Sequence, residues 1–302
     1  MRVSLFLFTV TVAGLRLENQ KKENGLDGIQ EKMTPGDFER NAQDKLIADR
    51  LARVGRKILV MSGKGGVGKS TVAAYLSLLL SKKGKKVGLM DVDLHGPSIA
   101  KLMKVQSGFD MSREGIVGPY AFSDHLSIVS MDMMLGEKDM ALIWRGPMKI
   151  SAIRQFVSDI EWGDLDFLLV DSPPGTGDEP LTVAQTIPDA EALIVTTPQE
   201  ISLADVRKSI NFCRQVNMKI LGVVENMSGQ LCPHCGEQVP LFGQGGGEKM
   251  AREMDVPFLG RIPADAGMVA AGDAGDLEGL MDQQGLEINV AYGGVLKTVL
   301  TQ

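Results

Sequence analysis

Residues 58–71, reading ILVMSGKGGVGKST, constrain the fold of this chain more tightly than any other stretch. Ile58 to Met61 is an apolar, strand-like run that passes into a glycine-rich turn, and Lys69, Ser70 and Thr71 then open a helix-like run, VAAYLSLLL. Gly63, four intervening residues and then Gly68, Lys69 and Ser70 match the spacing of a phosphate-binding loop. Each residue type has a physical task there. Gly63, Gly65, Gly66 and Gly68, with Val67 between the last two, let successive backbone N–H groups turn toward phosphate oxygens with no Cβ in the way. The helix N-terminus adds partial positive charge at the same point, Lys69 can reach the β and γ phosphates, and the Ser70 hydroxyl can ligate Mg²⁺. Strand, phosphate loop and helix in this order predict an α/β fold that holds a nucleotide. A second lysine inside the loop, Lys64, goes beyond the general pattern.

Acidic residues complete the magnesium half of such a site. Val87 to Met90 reads as a buried strand, with Asp91 and Asp93 at its carboxyl end, where open α/β sheets place their ligands. Two acids at that spacing could hold a Mg²⁺-bound water or orient an attacking water; either could instead cap the turn at Gly96 and Pro97. LDFLLVDSPPGTGDEP carries a stronger signal. Its apolar run, Phe167 to Val170, ends in Asp171, the form of a Walker B strand whose carboxylate reaches Mg²⁺ through its water shell. Gly175, Thr176 and Gly177 then suit a loop that moves with the presence or absence of a γ-phosphate. Strand-like runs at 126–130, 192–196 and 258–262, with helical patterns after Trp144 and at 202–215, continue the alternation. Asn226, just past another strand in LGVVENMSG, has an amide that can match N6 and N7 of adenine or can simply form a turn.

The cysteines point to a second chemistry. Three of them, unevenly placed, cannot build a disulfide framework and suggest a reducing compartment. Cys213 lies in an apolar helical stretch and reads as a buried structural thiol. Cys232-Pro-His-Cys235 is a knuckle flanked by turn formers, suited to present two thiolates to one metal. Two thiolates cannot complete a four-sulfur site, and the chain has no second C-x-x-C. Either His234 and other groups of the same chain must join, or a second copy must bring its own pair about a two-fold axis. Zinc and a [4Fe–4S] cluster both accept that set.

A net charge of -6 offers no electrostatic case for nucleic acid, and no stretch approaches the roughly 20 apolar residues of a membrane helix, so neither is an expected partner. The leader MRVSLFLFTVTVAGL has the length of a signal peptide, but an exported phosphate loop would find no nucleotide. It reads as a short disordered or mis-started leader, with Met33 as an alternative start, and the expected location is the cytoplasm. Residues 16–50 suit a flexible extension or a helix without a strong core face. The expected organisation is an N-terminal extension over 1–54, an ATPase domain over 55–280 with the knuckle inserted at 230–242, and a weakly patterned tail over 281–302.

GKGGVGKST with Lys64, DVDLHGPS, WRGPM, VDSPPGTGD, ENMSG and CPHC occur together and in an order that resembles the Mrp/ApbC family of iron–sulfur cluster carrier ATPases. These belong to the deviant Walker A class, with the MinD and ParA positioning and partition ATPases and the nitrogenase iron protein. The resemblance covers about residues 55 to 275. It implies a doubly wound, mostly parallel sheet and a homodimer in which Lys64 reaches the partner's nucleotide. It further implies that Lys64, Lys69 and Asp93 serve ATP hydrolysis, Asp93 by placing or activating the water. Ser70, Asp91 and Asp171 would organise Mg²⁺, Asn226 and the Pro263 loop would hold adenine, and Cys232 and Cys235 of two chains would bridge a labile [4Fe–4S] cluster. Implied partners are apo iron–sulfur proteins and scaffold proteins. The competing expectation is a MinD/ParA-like positioning ATPase with a structural zinc at the knuckle. Unlike many relatives, the chain has no cysteine before Cys213 and an extension too short for an accessory domain.

Overall fold

The structure, a computed structural model, describes residues 35–94, 96–105, 118–133, 146–231, 235, 237–283 and 285–301. The apolar leader with Met33, Trp144 of WRGPM, and Cys232 and His234 of the knuckle lie outside the described residues. The chain divides into two units, residues 1–42 and residues 43–302. Of the first, only the opening turns of helix α1 (Pro35–Leu51) are described. Within residues 43–302, Ile47 and Leu51 of α1 join the core.

The larger unit is built on one eight-stranded sheet. In chain order its strands are β1 (Val54–Ser62), β2 (Val87–Asp91), β3 (Tyr120–Ser123), β4 (Leu126–Ser130), β5 (Leu165–Asp171), β6 (Glu191–Thr196), β7 (Lys219–Glu225) and, after a small hairpin, β10 (Phe258–Arg261). The spatial order is β10-β7-β6-β1-β5-β2-β4-β3, and every pairing is parallel except β3 with β4. From β1 the chain winds first to one side and returns, then to the other, so β1 stands at the point of divergence where such sheets open a ligand crevice. The doubly wound, mostly parallel sheet expected from the sequence is therefore present.

Burial on both faces explains why these strands read as unbroken apolar runs. Along β1, Leu59 and Met61 enter one core, and Ile58 and Val60 enter the other. The helices α2 (Lys69–Lys82), α3 (Ile99–Leu102), α4 (Gly146–Asp159), α5 (Asp178–Thr186), α6 (Glu200–Gln215), α7 (Gly246–Glu253), α8 (Ala266–Ala274), α9 (Leu277–Met281) and α10 (Glu287–Thr301) supply the rest of both cores. Helix α2 is buried on almost every side, because α10 covers the face turned away from the sheet. Tyr75 of α2 and Tyr292 of α10 meet with ring centroids 4.3 Å apart, a contact worth about 0.5–1.5 kcal/mol beyond its buried area.

Cys213 sits fully buried on α6, as its setting predicted, and burial pushes its thiol up to about 12. A raised thiol holds its proton at higher pH, so at pH 8 only about one molecule in ten thousand carries the thiolate there. Alkylation of the native protein at pH 8, mapped by mass spectrometry, is expected to modify the exposed Cys235 and spare Cys213 until denaturant is added. Equal labelling of the two would contradict this burial.

Candidate nucleotide site and cysteine knuckle

The phosphate loop joins β1 to α2. Gly66 and Gly68 adopt φ of 80° and 82°, the left-handed region, which aims the N–H groups of the loop inward. Gly65 and Gly66 face open space, and the first turn of α2 contains no acidic residue to offset its N-terminal charge. A cavity of about 450 Å³ lies in front, lined by Gly65, Gly66, Lys69, Ser70 and Asp93 among others. An alanine at position 68 would need the left-handed φ, and its Cβ would fall 2.2 Å from Asn226 Nδ2. That nitrogen is committed to the Val67 carbonyl at 2.9 Å. Gly68→Ala is therefore expected to cost about 1–3 kcal/mol in a denaturant melt and to weaken ADP binding at least tenfold by calorimetry. Wild-type ADP affinity in this variant would show that the loop tolerates the Cβ.

Beneath the loop, the ends of three strands gather the acids. Register pairs Val60 with Asp171 and Asp91 with Asp171, so both carboxylates stand at the same edge of the sheet. The Lys69 ammonium, 6% exposed, donates to Asp171 Oδ1, and Ser70 Oγ lies 3.5 Å from Lys69 Nζ. Asp171 Oδ2 is buried without a hydrogen-bond partner among the described residues. Burial pushes the Asp171 carboxyl upward, and Lys69 opposes that shift. Asp91 is pushed up to about 7, by burial first and by the Asp171 charge second, against the pull of the Ile99 and Asp93 N–H groups.

Asp91 and Asp93 have different surroundings. Asp91 Oδ2 accepts from the N–H groups of Ser98 and Ile99 and from Ser130 Oγ, and Oδ1 accepts from the Asp93 N–H. This is the turn-capping arrangement left open by the sequence. Asp93, 8% exposed, accepts from the Gly96 N–H at 3.2 Å and lines two neighbouring cavities. The second, of about 510 Å³, continues to Pro174 and Gly177 of the glycine loop and to an ion pair between Lys149 of α4 and Glu179 of α5, 2.7 Å long. That pair went unnoticed in the sequence, where the two residues stand far apart. The glycine loop itself is tied to the phosphate loop, since the Gly175 N–H donates to the Ser62 carbonyl at 2.8 Å.

Asn226 and Pro263 do come together. They line a third cavity of about 500 Å³, with Gly68 and Thr71, so it runs on from the phosphate space. Next to Asn226, the structure reveals a residue that the sequence reading had passed over. Glu225, wholly buried, accepts from the Ser228 hydroxyl and from the N–H groups of Gly245 and Gly247 at the start of α7. A carboxylate closing the apolar strand KILGVVE was the available signal, because a buried charge must find donors. Between those two anchor points rises the hairpin of β8 (Gln230–Leu231) and β9 (Gln238–Val239), which carries the exposed Cys235.

A phosphate loop at the strand ends, a lysine–aspartate pair beneath it and a hairpin bearing an exposed cysteine, all on one α/β sheet, define a P-loop nucleotide-binding protein. Residues 53–300 match the family model described as ParA, NUBPL iron-transfer P-loop NTPase, and the chain belongs to that family. An iron-sulfur cluster carrier protein of Methanocaldococcus jannaschii is 48% identical over 234 residues, 77% of this chain and 81% of the relative. A nucleotide-binding protein of Archaeoglobus fulgidus, solved in complex with ADP, is 40% identical with a TM-score of 0.69 over 78% of this chain and 92% of its own. The cell division ATPase MinD of Pyrococcus furiosus, 23% identical, shares the fold with a TM-score of 0.58 over 82% of this chain and 99% of its own. Among the described residues no helix is long and apolar enough to cross a membrane.

Proposed function

We propose that this chain is an ATP-hydrolysing carrier that assembles a [4Fe–4S] cluster between two copies of itself at Cys232 and Cys235 and passes it to apoproteins. One observation carries the reading: the hairpin bearing Cys235 leaves the sheet immediately after Glu225 and Asn226, so thiolate and nucleotide cavity share one strand end. The iron–sulfur carrier from Methanocaldococcus and the ADP-bound relative from Archaeoglobus support its two halves.

In this reading the loop N–H groups and Lys69 hold the phosphates. Ser70 and Asp171 hold Mg²⁺, for which the unpartnered Asp171 Oδ2 is a fitting oxygen, and Asp91 fixes the backbone beside them. Magnesium would neutralise charge on the phosphate oxygens. Asp93 orients the attacking water, Lys64 reaches the nucleotide of the second copy, and Asn226 with the Pro263 loop receives adenine. The cysteines bind cargo and take no part in hydrolysis. The protein works in the cytoplasm, with apo iron–sulfur proteins and scaffold proteins as its partners.

Anaerobic reconstitution with iron and sulfide tests this. It should load about four irons per two chains with a broad thiolate-to-iron absorption band, and Cys232→Ser with Cys235→Ser should lose both. Iron retained by the double variant would overturn the assignment. Zinc in the purified protein, with salt-dependent DNA binding in the ATP state, would favour a positioning ATPase stapled by zinc instead.

A further inference from the structure

The two stems of the cysteine hairpin begin and end on the nucleoside cavity. Met227 and Gln230 on the outgoing side, and Leu241 and Phe242 on the return, line the same space as Asn226 and Pro263. The outgoing stem is stitched to the Pro263 loop: the Ser228 N–H donates to the Ile262 carbonyl at 2.9 Å, and the Ala264 N–H donates to the Gly229 carbonyl at 2.7 Å. The return stem closes on itself, with the Leu241 N–H donating to the Val239 carbonyl at 2.9 Å and the Gly243 N–H to Pro240 at 3.1 Å. Two apolar side chains that it turns to the cavity are exposed, Leu241 by 58% and Phe242 by 37%. Beyond them, Glu225 fixes the chain again at Gly245 and Gly247.

An aromatic ring left part-exposed on a short self-closed turn, lining with an amide and a proline one cavity that runs on to the phosphate loop, suits the face of a purine. We infer that Phe242 is a base-stacking residue that couples the adenosine end of the bound nucleotide to the order of the hairpin carrying Cys235. The inference rests on the reading above only in taking the occupant of this cavity to be the nucleoside of the nucleotide at the phosphate loop. A nucleoside there touches the firmly held stem through Met227 and the loosely held one through Phe242, so its presence joins the two. The phosphates touch neither.

Hydrogen exchange of the full chain separates the two ends of the ligand. Magnesium with ADP should slow exchange in 63–72 and, by about tenfold, in 237–245. Magnesium with pyrophosphate, at a concentration that protects 63–72 equally, should leave 237–245 unchanged. Phe242→Ala should bind ADP more weakly and, at an ADP concentration that saturates the variant and again protects 63–72, should lose the protection of 237–245, and Phe242→Tyr should restore it. Equal protection of 237–245 by pyrophosphate and ADP, or ADP protection of 237–245 that survives in Phe242→Ala, would overturn the inference. The wild-type comparison decides it even if the alanine variant folds poorly. Iron uptake is read separately: a chain that loads no cluster but shows this ADP pattern would sink the carrier reading alone, and the reverse result would sink only the role of Phe242.

Discussion

Lys69→Met is expected to destabilise the nucleotide-free protein by about 3–5 kcal/mol and to abolish ATP hydrolysis. Lys69 is 6% exposed and Asp171 is fully buried, so the ammonium is the main compensation that the carboxylate has. Methionine keeps the volume and removes the charge. Asp171 is then left in a low-dielectric setting beside Asp91, whose own carboxyl is already held near 7 by burial and by this neighbour. Burial pushes Asp171 upward, and without Lys69 the Ser70 hydroxyl is the opposing influence that is left. A carboxyl whose folded value exceeds its unfolded value binds more protons in the native state, so the stability of the variant should fall as pH rises above the ordinary carboxylate range of about 4. Adding Asp171→Asn to Lys69→Met removes the stranded charge and should recover most of the loss at pH 8. Denaturant melts of the four proteins at pH 5 and pH 8 form the cycle. A penalty that is the same at both pH values and unrelieved by Asp171→Asn would mean that the pair carries no such coupling.

The same burial explains which parts of the fold could be read from the sequence. Central strands of a parallel sheet are covered on both faces, so β2, β5 and β6 show as uninterrupted apolar runs. The phosphate loop was legible because its chemistry fixes residue type and spacing together. Asp91 was ambiguous because spacing gives the end of a strand but not the direction of a carboxylate; the donors of Ser98, Ile99 and Ser130 come from two other segments. Helix α10 was hidden for a related reason. Its buried residues, Ile288, Tyr292, Val295, Leu296 and Val299, keep helical spacing, but Gly293 and Gly294 interrupt the run and its burial depends on α2, some two hundred residues earlier. Pro263 could be placed beside Asn226 only by resemblance, since the hydrogen bonds that bring them together span Ser228 to Ile262 and Gly229 to Ala264.

Glu225 opens the ENMSG motif, whose spacing assigns it no task, yet Glu225→Ala is the substitution expected to disturb the knuckle most from outside it. The side chain is completely buried, and its oxygens accept from the Gly245 N–H at 2.8 Å, from the Gly247 N–H and from Ser228 Oγ. Gly247 is itself required at its position, because a Cβ there would stand 2.9 Å from Glu225 Oε2. Alanine strands three donors in the interior at about 1–3 kcal/mol each, partly relieved by water, giving an expected loss of about 3–5 kcal/mol. Glutamine retains one accepting oxygen but turns an N–H₂ group toward a backbone donor, so it should fall between alanine and the parent. Arg261 adds little, being 3.6 Å from Glu225 and chiefly engaged with the part-exposed Glu248. Glu248→Ala should therefore cost no more than about 1 kcal/mol. The functional consequence follows from the topology: Ser228 precedes the hairpin and Gly245 follows it, so one carboxylate holds both roots. With that clamp gone, Cys235 is chemically unchanged but its hairpin is no longer held at a fixed place beside the nucleotide cavity. Iron loaded per chain should fall in the order parent, Glu248→Ala, Glu225→Gln, Glu225→Ala, measured at a temperature where all four remain folded. Parent-level iron in a folded Glu225→Ala would show that iron loading does not depend on anchoring the hairpin to the sheet.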